Sequence, residues 1–134
     1  MSSFHLQIVT PDGLFYDGQA ESLNLRAAQG GLTILPRHTN FVTTVGMGPA
    51  KVVLEGKSRI AACIGGMLSV SGGEVTLVPT TFEWADKIDV DRAEASYQRA
   101  DKVLHDQNAS GTELKLAEAR LHRALVRKSV ASNP

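Results

Sequence analysis

The sequence predicts an antiparallel β-sandwich followed by an antiparallel two-helix hairpin, a mainly β plus α chain. Three observations carry that expectation. Up to about Glu83 the chain is a run of short apolar stretches separated by Gly- and Pro-containing turns, with no helix-period segment between them. After Trp84 the apolar spacing changes from two residues to three and four. The charge follows the same division: residues 1–82 hold five basic and five acidic side chains, and residues 83–134 hold nine of each. The expected domains are therefore a sandwich over 1–84 and a helical hairpin over 85–134.

Phe4, Leu6 and Ile8 alternate with polar neighbours and predict a first strand over 4–10. Pro11-Asp12-Gly13 is a turn, because Pro presets φ and Gly accepts positive φ. Strands over 14–16 and 20–25 are expected around a turn at Asp17-Gly18. A loop follows at Gln29-Gly30-Gly31, then a short strand over 32–35 that Pro36 ends. Two hairpins are plainer: 51–55 with 58–62 about Gly56-Lys57, and 67–70 with 74–78 about Ser71-Gly72-Gly73.

Asp89 is placed to cap a helix from Val90 to about Gln107, whose inner stripe is Ala93, Tyr97, Ala100 and Leu104. Asn108-Ala109-Ser110-Gly111 interrupts it. Ser110 with Glu113 has capping-box spacing. The second helix then turns Leu114, Ala117, Leu121, Ala124 and Leu125 inward and ends near Val130. So short a connection makes the helices antiparallel neighbours. Their seam is rich in Ala, and an Ala removes little apolar area from water at about 25 cal/mol per Å². The hairpin is expected to be loosely held.

Composition narrows the function. Fourteen basic and fourteen acidic residues leave no net field to recruit nucleic acid or an anionic membrane. No apolar run approaches the roughly 20 residues of a spanning helix, so any membrane is reached through a partner. The N-terminus lacks the basic and apolar regions of a signal peptide, and the single cysteine, Cys63, suits a reducing compartment. There is no phosphate loop of the Walker type and no nucleophile elbow, and His5, His38, His105 and His122 lack metal-ligand spacing. No catalytic residue and no metal ligand is assigned.

The hairpin arginines say more. Arg92 and Arg99 share one face of the first helix, and Arg123 and Arg127 one face of the second. Folding the chain about residues 109–110 sets 92 level with 127, and 99 level with 120–123. Four guanidiniums, with Arg120 beside them, then converge on one anion, for which their planar forks suit phosphate. The plainer reading is a solvated charged face answered by Asp89, Asp91, Glu94 and Asp101, and spacing alone favours it. Asp89 has its plainer role as a cap, and Ile88 and Ala93 as packing residues.

Four segments in order, Ile8-Val9-Thr10-Pro11-Asp12-Gly13, Gly31-Leu32-Thr33-Ile34-Leu35-Pro36-Arg37-His38, Gly65-Gly66 and Ile88-Asp89-Val90-Asp91-Arg92-Ala93, resemble the epsilon subunit family of bacterial rotary ATP synthases. The resemblance spans nearly the whole chain. It implies a non-enzymatic subunit of the central stalk at the cytoplasmic face of the cell membrane. Its partners would be the gamma subunit, the c-ring and the alpha/beta catalytic head. It also implies a hairpin that folds onto the sandwich or extends along gamma, where it inhibits hydrolysis. No cofactor is required, but ATP is implied as a regulatory ligand. Ile88, Asp89, Arg92 and Ala93 match the family's nucleotide motif, Glu83 and Arg99 fall at further contacts, and Arg123 and Arg127 stand for the second-helix arginines. Gln29, Gly30, Gly31, Arg37 and His38 would form the loops facing the rotor. Here the chain departs from the pattern: Arg37 stands at a usual Gly, Thr39-Asn40 at Ala-Pro, Thr33 at Gly, and Gln29 and Gly31 where acidic residues are frequent. No electrostatic role is assigned to those loops.

Two other readings stay open on the sequence: a free-standing nucleotide-sensing module, and a β-sandwich binding domain whose helical tail dimerises. Co-purification with a gamma-like partner, nucleotide titration and sedimentation separate them.

Overall fold

The computed structural model describes residues 2–132, so residues 1, 133 and 134 of the expected domain spans lie outside the described residues. Ten strands form two five-stranded sheets. They are β1 (Phe4–Thr10), β2 (Gly13–Ala20), β3 (Ser22–Ala27), β4 (Gly30–Ile34), β5 (Phe41–Thr44), β6 (Met47–Leu54), β7 (Lys57–Ile64), β8 (Met67–Ser71), β9 (Glu74–Val78) and β10 (Thr81–Trp84). The first sheet runs β2-β1-β9-β8-β5 and the second β10-β7-β6-β3-β4. Neighbours pair antiparallel except β1 with β9. A turn of 3-10 helix, Ala85–Lys87, leads to α1 (Val90–Leu104) and α2 (Gly111–Ser132).

The core lies between the sheets. Leu6, Ile8, Leu23, Ile34, Val52, Leu68 and Leu77 are wholly buried there, each supplied by an inward position of an alternating strand. Where the chain crosses from β7 to β8 it bends at Gly65-Gly66. Gly66 has φ +121°, and a Cβ there would stand 2.2 Å from the Val78 carbonyl oxygen. No other residue fits that crossing.

β7 is buried on both faces. Ala61 and Cys63 point into the sandwich, while Ala62 and Ile64 point outward and meet Ile88, Val126 and Val130. The hairpin thus rests on the outer face of the second sheet, through the C-terminal half of α2. Within the hairpin the buried seam is Ala93, Ala100, Ala117 and Ala124. Asp89 caps α1 through the Arg92 amide at 3.0 Å. The capping box forms as expected: the Glu113 amide donates to Ser110 Oγ at 3.1 Å, and the Ser110 amide to Glu113 Oε1 at 3.4 Å.

Several boundaries differ from the expectation. Asp17-Gly18 is not a turn, because β2 runs through it, paired to Gln7 and Leu6 of β1. Gly30 and Gly31 are in β4 rather than a loop, opposite Ala27 and Arg26; ladder bonds to β3 outweigh the flexibility of Gly. α1 stops at Leu104, three residues before Gln107, where His105 Nδ1 and its amide turn back on the Asp101 carbonyl. Leu125 faces out at 43% exposure, and Val126 and Val130 go inward instead. The strip that meets the sandwich lies one position round the helix from the strip that meets α1.

Candidate functional site

The sandwich and the hairpin leave a cleft of about 890 Å³ between them. One wall is the β1–β2 turn, Thr10 to Phe15, with Thr80, Thr81, Phe82 and Glu83; the other is Lys87, Asp89, Arg92, Ala93, Ser96 and Arg127. Glu83, Asp89, Arg92, Ala93 and Arg127 are therefore gathered in one place. A second cleft of about 500 Å³ adjoins it between the helices, lined by Arg99, Arg120, Arg123 and Arg127 with Glu113, Leu116 and the seam. Arg127 and Ser96 belong to both. The four guanidiniums do not surround a single point. Arg92 lines the first cleft, Arg99 and Arg123 line the second beside Arg120, and Arg127 stands between the two, in keeping with the antiparallel register.

Ile88 lines neither cleft. It is buried among Ala85, Ala62 and Val126, beneath the start of α1. Arg127 is held by Glu83, with Nε 2.6 Å from Oε1 in a partly buried pair that ties α2 to β10. Lys128 ties α2 to α1: Nζ lies 2.6 Å from Glu94 Oε2 and 4.3 Å above the Tyr97 ring. The Lys128 bond, with a second from Gln98, holds the Glu94 carboxyl below its ordinary range. Arg59 stacks 4.0 Å over Trp84 and reaches Asp86 at 3.3 Å, fixing the linker between sheet and helix.

The other arginines are less engaged. Arg99 donates to Ser96 Oγ at 3.2 Å. Among the described residues the side chains of Arg92, Arg120 and Arg123 have no carboxylate within ion-pair distance. Like charges at i and i+4, as at Arg123 and Arg127, repel by roughly 0.2–0.5 kcal/mol, and Glu83 answers Arg127 alone. The arrangement can bind an anion across the hairpin. Cys63 lies apart from it in the core, where burial pushes its thiol up to about 12.

Gln29, Gly30, Gly31, Arg37 and His38 sit elsewhere: Gln29 in the β3–β4 turn, Gly30 and Gly31 at the start of β4, and Arg37 and His38 after it. That is the edge of the sandwich opposite β2 and β10. Arg37 takes φ +66°, where glycine is favoured. His38 stacks against Phe41 at 5.0 Å and bonds the Thr39 carbonyl. Its ring is thus engaged within the loop.

The cleft-facing turn Thr10 to Phe15 and Lys87 were not foreseen as site residues. A turn motif reveals its own geometry, but not that a helix eighty residues later comes to lie over it. Among the described residues no helix is long and apolar enough to cross a membrane.

Residues 3–85 match the family model described as ATP synthase, Delta/Epsilon chain, beta-sandwich domain, and residues 86–132 match the corresponding long alpha-helix domain. The chain is 39% identical over 133 residues to an ATP synthase epsilon chain of Ruminococcus albus, covering 98% of each. It is 37% identical to that of Bacillus velezensis, covering 99% of this chain and 100% of the relative. Among solved structures it is similar to a chain of the Euglena gracilis mitochondrial ATP synthase, with TM-score 0.83 and 17% identity, over 96% of this chain and 81% of the other. A chain of the Tetrahymena thermophila mitochondrial central stalk and c-ring assembly matches with TM-score 0.62 and 11% identity, over 95% of each.

Proposed function

This chain belongs to the ATP synthase delta/epsilon chain family, and on that premise we propose that it is a non-catalytic regulatory subunit whose hairpin ATP holds against the sandwich. It joins the gamma subunit and the c-ring in the central stalk, at the cytoplasmic face of a bacterial membrane. Released, its helices reach the alpha/beta head and slow hydrolysis. Full-length relatedness to bacterial epsilon chains supports the stalk position, as does likeness to a chain of a central stalk and c-ring assembly. The rotor contact would lie at Gln29, Gly30, Gly31, Arg37 and His38, the edge remote from the hairpin.

One observation carries the ATP reading: a single cleft lies between the two parts, with Glu83 on one wall and Asp89, Arg92, Ala93 and Arg127 on the other. An anion bound there touches both parts at once, so it favours the docked hairpin by as much as it prefers that form. Arg99 and Arg123 extend the cationic surface into the adjoining cleft.

Titration with ATP tests it. Wild type binds saturably, and Arg92→Ala weakens binding by about tenfold or more, as loss of a charge-assisted contact requires. Absence of saturable binding in the wild type removes the nucleotide role. Truncation after Trp84 is expected to leave a sandwich that still joins the complex but inhibits hydrolysis less; undiminished inhibition contradicts the assignment to the hairpin.

A further inference from the structure

The first cleft has an aromatic lip that none of the charged contacts explains. Phe15 lies on β2 just past the Pro11-Asp12-Gly13 turn, and it remains 38% exposed although it is a large apolar residue. It is braced from behind. Phe82 meets its ring edge-on at 5.2 Å, Trp84 lies 5.9 Å away, and those two buried rings pack edge-to-face against each other at 5.2 Å. The ring is thus supported on a rigid aromatic stack, in the same cleft wall that faces Asp89, Arg92 and Arg127.

A braced aromatic ring on one wall and guanidiniums on the other make a cleft with two unlike ends. A ligand that is flat and apolar at one end and anionic at the other fits it in one direction only. We propose that Phe15 is the stacking platform for the nucleobase, with the phosphates turned toward Arg127 and the Arg99–Arg123 cleft. This deepens the nucleotide reading above and rests on it. Every base has a π face, so the platform contributes affinity rather than choice between bases. The recognition is sequence-local to this chain: it needs an aromatic residue two positions after Gly13, on a strand edge that β10 reaches.

The test is calorimetric titration of the full chain with ATP and, separately, with inorganic tripolyphosphate, which has the anionic end but no base. Phe15→Leu keeps apolar bulk and removes the π face; it is expected to weaken ATP about 5- to 100-fold, the range of one base–aromatic stack. Tripolyphosphate affinity should stay within about twofold. Phe15→Tyr should bind ATP like wild type, and Arg123→Gln should weaken both ligands. ATP binding by Phe15→Leu equal to wild type overturns the platform. So does an equal loss for ATP and tripolyphosphate, which would mark Phe15 as a support for the cleft only. A wild-type protein that binds neither ligand removes the nucleotide reading, and the platform with it.

Discussion

The sandwich and the hairpin are both covered by apolar contacts, but of different kinds. Between the sheets Leu6, Ile8, Leu23, Leu68 and Leu77 meet one another from strands far apart in the chain. Between the helices the buried residues are four alanines, and the larger Tyr97, Leu104, Leu114 and Leu121 remain half-buried at the rim. Burying a Leu or Ile is worth about 1.5–3 kcal/mol and an Ala far less. The hairpin therefore depends on contacts beyond its seam: Val126 and Val130 on β7 and the Glu83–Arg127 pair fasten it to the sandwich, and the Lys128 contacts tie α2 to α1. On the proposed function, such a part would leave its seat without disturbing the core beneath.

The largest test of that contrast is Leu77→Ala. It opens a cavity in the sandwich and should cost about 2–5 kcal/mol in denaturant unfolding, with the hairpin lost alongside. If it loosened only the helices, the sandwich would not be the anchor. Val130→Asp is next. Placing a carboxylate against Ala62 and Ile64 should undock α2 and speed amide exchange in the helices roughly 10- to 100-fold, while the exchange of β1, β8 and β9 stays unchanged. Global unfolding of this variant contradicts separability.

Glu83→Gln is smaller. The pair it breaks is partly exposed, and a double-mutant cycle with Arg127→Gln should give a coupling of about 0.5–1 kcal/mol. A coupling near zero would leave Val126 and Val130 as the whole latch. The smallest effect concerns the sandwich alone. His5 lies between Asp17 and Glu74 on the outer face of the first sheet, bridging three strands. Bonding to Asp17, then to Glu74, raises the His5 pKa, and bonding to His5 lowers that of Asp17. The raised histidine stabilises the fold fully below about pH 6.5, and this contribution disappears as pH rises through its folded pKa. The depressed aspartate contributes above about pH 4 and is lost as pH falls through its own folded value. The Tm of wild type should thus fall relative to His5→Gln as pH goes from 6 toward 8. Parallel curves would show that the cluster is idle.

Local pattern made much of this fold legible. Asp89, the Ser110–Glu113 box and the Gly56 and Gly72 turns all specify their own geometry within a few residues. At β2 and β4 the local signal misleads, because the partner strand, not the Gly, decides whether such a segment pairs. Val126 and Val130 fall outside the expected stripe for a different reason. A helix with two neighbours carries two apolar strips, and the expected inner stripe is the Ala-rich one alone. A signal for the second existed in Ile60-Ala61-Ala62-Cys63-Ile64: its unbroken apolar run, where an outer strand should alternate, marks β7 as covered on both faces. The arginine grouping was recoverable from antiparallel register. The division into two clefts was not, since it depends on where α1 lies over Thr10 to Phe15.

Amide hydrogen exchange of the intact protein with and without ATP tests the central claim most directly. The account predicts that, without nucleotide, α1 and α2 exchange faster than β1, β8 and β9, and that ATP slows the helices alone. Helices as protected as the core strands in both conditions would contradict it.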